Sequence, residues 1–167
     1  MTTLQTTSRS QKIFPHLWYS REAEEAAAFY ASIFPDSRVD GMTALPVESP
    51  GGPPGSVKVV DFTLLGQRFQ AMSAGPLDDF NHSISLVVLC DDQAELDHYW
   101  ERLLEGGKAE ACGWLRDRYG LCWQIVPADF DVMMTDPDRE RARRVAAAMM
   151  TMVKFDIAAL RAAHAGA

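Results

Sequence analysis

The order of its elements constrains this chain most. An alternating apolar stretch from Ile13 to Tyr19 leads into an amphipathic stretch ending at Phe34, and three further strand-like stretches follow. The same order, strand–helix–strand–strand–strand, starts again at Ser83, roughly 70 residues further on. One helix followed by a run of strands on short turns is the wrong order for a doubly wound parallel sheet. It predicts an α+β protein built from two similar modules.

In the first module, Phe14, His16 and Trp18 share one strand face, and Ile13, Leu17 and Tyr19 the other. Pro15 suits an edge or a strand start. The helix is predicted from Arg21 to Phe34, capped by Ser20, with Glu22, Glu24 and Glu25 at its positive end. Ala23, Ala26, Ala27, Tyr30, Ile33 and Phe34 form its buried stripe. A weaker strand runs from Ser37 to Leu45. Pro46 to Gly55 is a loop, either a flexible connection or a lid. Strands Ser56–Leu65 and Arg68–Ser73 are predicted to meet at a tight turn of Gly66 and Gln67.

In the second module, Ser83–Cys90 reads as a strand and Asp92–Leu104 as a helix opened by a capping box of Asp92 and Glu95. Lys108–Ala111, Cys112–Arg116 and Leu121–Val126 complete it. The tail is helical: Asp136 is the expected cap and Pro137 the first helical residue, with Ala142, Val145, Ala146, Met149 and Val153 on one face. Asp156 opens a last short helix through Leu160. The expected organisation is a disordered arm over 1–11, a domain over 12–127 (modules 12–74 and 82–127) and a helical tail over 128–167.

A net charge of −7 repels phosphate backbones, which argues against nucleic acid as a partner. The basic run Arg139, Arg141, Arg143 and Arg144 is interleaved with Asp138 and Glu140, as on a solvated helix face. Three cysteines, an odd number without a C-x-x-C pair, fit a reducing compartment. Met1 to Lys12 lacks the apolar core of a signal peptide, and Val145 to Val153 is too short to span a bilayer. The expected setting is therefore the cytoplasm, with no membrane contact.

Several blocks carry a resemblance: Pro15-His16-Leu17-Trp18-Tyr19, Ala23 to Tyr30, Ile33-Phe34-Pro35-Asp36-Ser37, Ile84-Ser85-Leu86, Tyr99-Trp100, and the long block from Cys112 to Pro127. With the tail from Asp136 to Leu160, they resemble the PhnB-like branch, also called the 3-demethylubiquinone-9 3-methyltransferase domain, of the vicinal-oxygen-chelate (glyoxalase/bleomycin resistance) superfamily. The resemblance implies two βαβββ modules forming a cup-shaped mixed sheet, usually completed in a homodimer, that holds a small molecule. In metal-dependent branches it implies a divalent ion held by His, Glu or Gln on the first and last strands of each module.

Carried over residue by residue, His16 (or Pro15 beside it) takes the first-strand position and Gln70 the last-strand position of module one. In module two, Ser85 stands where a His is expected and Gln124 where a Glu is expected. Neutral amides bind divalent ions more weakly than carboxylates, so at most a weakly bound divalent metal is expected, with His16 and Gln124 as its candidates. His16 can be a ligand or a general base, or a strand histidine bonded to a neighbouring carbonyl. Gln70, Ser85 and Gln124 can orient a ligand or satisfy one another. Trp18 can stack on a flat ligand; Trp123 reads as core. Cys112 reads as a packed strand residue.

The leading expectation is a small-molecule-binding protein whose polar floor includes His16, Gln70, Ser85 and Gln124, with Trp18 beside them. A metal-dependent glyoxalase- or dioxygenase-type enzyme is the alternative. Methyl transfer comes third, because Gly51-Gly52-Pro53-Pro54-Gly55 precedes a strand and its prolines remove the amide donors a methyl-donor cofactor would need.

Overall fold

The computed structural model describes residues 11–76 and 78–167. The arm expected over 1–11 lies outside the described residues except for Gln11, whose Oε1 accepts from Arg68 N at 3.0 Å. The chain divides into two compact units, residues 1–77 and 78–167.

The first unit contains β1 (His16–Tyr19), α1 (Ala23–Ala31), β2 (Arg38–Ala44), β3 (Lys58–Leu64) and β4 (Gln67–Ser73), in a four-stranded sheet of order β1-β4-β3-β2. β1 runs parallel to β4, and the other pairs are antiparallel. This mixed pattern follows from the helix, which carries the chain from β1 across the sheet before the hairpins begin. Leu17, Tyr19, Val60, Phe62, Leu64, Phe69 and Ala71 are buried, together with Ala23, Ala26, Ala27 and Tyr30 of α1. Each fully buried large apolar side chain of this kind contributes about 1.5–3 kcal/mol. The alternation of β1 leaves His16 and Trp18 on the opposite, open face.

Three local expectations change. The cap of α1 is not Ser20: Ala23 N donates instead to Ser73 Oγ, at 3.1 Å, so the sheet itself satisfies the helix start. The β3–β4 turn is Leu65-Gly66, both at positive φ (48° and 75°), and Leu64 pairs with Gln67. The Pro/Gly segment extends the β2–β3 hairpin: Leu45 N donates to Val57 O, Gly55 N to Leu45 O, and Ser49 and Gly52 bridge each other.

The second unit contains β5 (Leu86–Cys90), α2 (Gln93–Leu104), β6 (Lys108–Ala109), β7 (Trp114–Arg116) and β8 (Cys122–Pro127), in the order β5-β8-β7-β6, then α3 (Phe130–Met134), α4 (Arg139–Met149) and α5 (Ile157–Ala165). Again the first strand is parallel to the last. Asp92 Oδ1 accepts from Glu95 N at 2.9 Å, and the Glu95 carboxylate accepts from Asp91 N at 2.7 Å, so the start of α2 is satisfied from both sides. Asp117 is 3 % exposed and accepts from Tyr119 N, Leu121 N and Trp123 Nε1, which fixes the β7–β8 turn and seats Trp123 in the core at 2 % exposure.

The tail differs in its caps. Asp138, not Asp136, opens α4, while Asp136 Oδ1 accepts from Asp138 N at 2.8 Å. α5 runs on to Ala165, and α3 is a helix the sequence reading left out. Val153 lies beyond α4, and its carbonyl accepts from Gly113 N at 2.8 Å. Gly113 sits at φ +78°, and a Cβ there would come within 2.7 Å of the Phe155 ring and 3.0 Å of Ile125 O. Only glycine allows the tail to approach the sheet this closely.

Candidate functional site

In module one, β1, β4 and β3 place His16, Gln70 and Asp61 in one row on the open face: His16 is opposite Gln70, and Gln70 is opposite Asp61. His16 Nδ1 and Gln70 Oε1 are 2.8 Å apart. Gln70 Nε2 donates to Asp61 Oδ1 at 3.3 Å, and Arg68 Nη2 donates to the same oxygen at 2.7 Å. Arg68 is itself stacked 3.6 Å above the Phe14 ring. The chemistry of this row has a direction. A carboxylate only accepts, so Gln70 turns its NH₂ to Asp61 and its carbonyl to His16. His16 Nδ1 must then carry the proton, and in the neutral ring Nε2 keeps its lone pair.

Trp18 lies on the same face as His16, two residues along β1 and in register with Met72, and is 41 % exposed. It offers an open ring face but makes no hydrogen-bond link to the row.

In module two, Gln124 Nε2 donates to Ser85 Oγ at 2.8 Å. The expected partners thus meet in each module, His16 with Gln70 and Ser85 with Gln124. The register differs, however. Ser85 precedes β5, and the residue opposite Gln124 on β5 is Val87; on its other side, across β7, is Trp114. This open face carries exposed Val87 and Leu89. With the tail it bounds a cavity of about 310 Å³, lined among others by Gln124, Trp114, Phe130, Asp131, Met149 and Phe155.

Cys112 is not a strand residue. It occupies the turn before β7 at φ +59°, lines the same cavity, and places its Sγ 3.7 Å from Met149 O. The other thiols are withdrawn from chemistry: burial, reinforced by the Glu95 carboxylate, pushes Cys90 up to about 12, and burial also raises Cys122.

Sequence reasoning missed Asp61, Arg68 and the wall that the tail adds to the cavity. Counting back from the expected Gly66-Gln67 turn points to Thr63 instead of Asp61. Phe130, Asp131 and Phe155 gave no local signal, because their role depends on where the tail docks. For a divalent ion, His16 Nε2 is the strongest donor among the expected ligands, while Gln70 and Gln124 are engaged with Asp61, His16 and Ser85. Among the described residues no group of three or more His, Cys, Asp or Glu side chains could hold a metal. Neither unit by itself fits a tight divalent site.

No helix among the described residues is long and apolar enough to cross a membrane. A search of curated proteins found no significant match. Among solved structures, the PhnB protein from Bacillus cereus aligns with a TM-score of 0.60 and 29 % identity, over 70 % of this chain and 99 % of that one. PA1353 from Pseudomonas aeruginosa aligns at 0.53 and 20 % identity, over 71 % and 97 %. FosX, a fosfomycin resistance protein from Listeria monocytogenes solved with Mn(II) and 1S,2S-dihydroxypropylphosphonic acid, aligns at 0.52 and 16 % identity, over 72 % and 93 %. The last two share the fold alone. The sequence matches the profile described as 3-demethylubiquinone-9 3-methyltransferase over residues 11–126, leaving the whole helical tail outside the match. With its two βαβββ modules and this match over most of its length, the chain belongs to the 3-demethylubiquinone-9 3-methyltransferase family, the PhnB-like branch of the vicinal-oxygen-chelate superfamily.

Proposed function

We propose that the chain is a small-molecule-binding protein working from the open faces of its two sheets. One observation carries this reading: in each module a first-strand-side residue meets the last-strand glutamine at 2.8 Å on the open face, and in module two that glutamine lines a cavity of about 310 Å³. Cavities near 300 Å³ lie at the lower end of those that hold small ligands, and an apolar lining with a few placed polar groups is their usual composition. His16, Trp18, Gln70, Ser85 and Gln124 are the proposed contacts. A cytoplasmic homodimer belongs to the same reading: the dimer rests on the family resemblance and the compartment on the odd cysteine count without a C-x-x-C pair; light-scattering mass in solution tests the dimer.

A second reading, a metal-dependent glyoxalase- or dioxygenase-type enzyme, draws on the lone pair of His16 Nε2, and on FosX having been solved with Mn(II). It needs ligands beyond those assembled within either unit. Methyl transfer, the activity in the family's description, ranks last, since the Gly51 to Gly55 segment leads into a strand rather than opening a helix.

The deciding experiment measures metal in untagged protein purified without chelator, by elemental mass spectrometry, followed by a ligand screen read by amide NMR shifts. Substoichiometric metal, together with a ligand whose shifts cluster around Gln124 or His16 and whose affinity falls in Gln124→Ala or His16→Ala, supports the binding protein. Near-stoichiometric zinc, manganese, nickel or iron lost in His16→Ala moves the reading to the enzyme, and tight S-adenosylmethionine binding moves it to the methyltransferase.

A further inference from the structure

The polar lining of the module-two cavity includes a carboxylate and an amide but, among the described residues, no cationic side chain. Gln124 uses one of its two Nε2–H donors on Ser85 Oγ, and its Oε1 is available as an acceptor. The Asp131 carboxylate, at the exposed rim on α3, makes no ion pair or hydrogen bond among the described residues. Cys112 directs its thiol proton towards Met149 O. No lysine or arginine is among the described residues that line the space. Two basic groups beside Trp114 are engaged: His82, whose ring lies 5.7 Å from the Trp114 ring, meets Glu110 at 2.6 Å, and Arg116, on the same strand as Trp114, lies 3.7 Å from Glu110 and donates to Phe80 O. The remaining walls are the Trp114 and Phe130 rings, the buried Phe155 ring stacked on Phe130 at 5.3 Å, and aliphatic side chains.

A space that offers acceptors, a free carboxylate and aromatic rings, without a cationic donor, is matched by a ligand that brings the positive charge. The carboxylate attracts it through space, and the negative ring faces of Trp114 and Phe130 attract it at contact. An anion would meet the carboxylate and lone pairs unscreened.

The geometry points to a binding site for a small organic cation with an apolar or aromatic body, in the cavity that the tail closes over module two. Its ammonium would face Asp131 and its body would lie on Trp114. This rests on the reading of the module-two open face as a ligand surface, and it adds the charge class of the ligand. Since Phe130, Asp131, Met149 and Phe155 lie beyond the family match at residue 126, the site belongs to the appended tail as much as to the modules.

The test titrates the full chain with benzyltrimethylammonium, benzyl alcohol and benzylphosphonate, following the amide and indole NMR signals. The expected result is that the cation shifts the Trp114 indole and the amides of Gly113, Gln124 and Asp131. The neutral probe should bind about tenfold more weakly and the anion not measurably. Asp131→Asn, at an exposed position that should not affect folding, should weaken the cation about tenfold and leave benzyl alcohol unchanged. Equal or tighter binding of benzylphosphonate, an affinity for the cation that Asp131→Asn leaves unchanged, or no shifts at these residues would each overturn the proposal. If the cation fails while another small molecule from the screen still shifts Gln124 or His16, only the cation class falls; if nothing shifts either, the binding reading falls with it.

Discussion

On the open face of module one, the row across the sheet reads His16, Gln70, Asp61; at the same register in module two it reads Val87, Gln124, Trp114. The strand order, the parallel pairing of first and last strands and the central glutamine are shared. The flanks are not. Module one surrounds its amide with an imidazole and a carboxylate, and Arg68 completes a polar chain. Module two surrounds its amide with apolar side chains and then covers part of the face with the tail. One scaffold therefore presents an amide in two ways, as a link that orients a histidine and as an acceptor at the floor of an apolar cavity. Fold membership alone cannot separate these uses.

The largest expected effect lies where the tail meets module two. Phe155 is 2 % exposed, stacks on Phe130 and packs against the Gly113 backbone. Phe155→Ala removes that wedge and should destabilise the protein by about 3–5 kcal/mol, measured by urea unfolding. The intrinsic fluorescence of Trp114 should change as well, because its cavity opens. A loss below about 1 kcal/mol would mean that the tail is not held against the sheet, and the contrast between a covered and an uncovered face would break.

How much of this contrast was legible in the sequence depends on which link carried it. The two modules and the α1 stripe followed from alternation and element order, whereas His16 and Gln70 came from the family resemblance; the parallel first–last pairing brings the two side by side. Asp61 was lost through a single turn. Placing the hairpin at Gly66-Gln67 sets Thr63 opposite Gln70, whereas the true turn at Leu65-Gly66 sets Asp61 there. Leu65 at φ +48° is the reason: sequence preference reserves that conformation for Asn, Asp or Gly, so the correct turn carried no signal. The cavity was illegible for a different reason. Cys112-Gly113 looks like the start of a strand until Met152 O and Val153 O arrive to accept their amides, a contact made across about 40 residues of chain.

A smaller effect tests the module-one row. Asp61→Ala removes the acceptor that orients Gln70 and the partner of Arg68, at a half-buried ion pair whose loss should cost no more than about 1 kcal/mol. Its signature is chemical rather than energetic. With Asp61 present, the neutral His16 ring should be protonated at Nδ1, and ¹⁵N shifts should show a single tautomer. Without it, the Gln70 amide can turn over, and both tautomers should be populated. An unchanged ring spectrum in Asp61→Ala would show that Gln70 is oriented by something else, and the directional chain in module one would lose its basis.

The smallest effect concerns the clips that hold the tail. Asp136 is kept below its ordinary value of 3.8, first by the backbone N–H of Asp138 and then by His164 Nε2, 2.7 Å away. Asp97 is lowered likewise, first by its hydrogen bond from Lys154 and then by that from Gln93. Both carboxylates hold protons less readily folded than unfolded. Their contribution is therefore present in full above the ordinary carboxylate value and is lost as pH falls through the depressed folded value. Both remain in contact with solvent, at 18 % side-chain exposure for Asp136 and 38 % for Asp97, so screening keeps the gain modest. Urea midpoints followed from about pH 5 down to pH 2 should fall, and Asp136→Asn should flatten part of that slope by slightly lowering the midpoint near neutrality while leaving the acid end unchanged. If the slope is identical in Asp136→Asn, the Asp136–His164 pair does not help to hold the tail, and the charged contribution rests on Asp97 and Lys154.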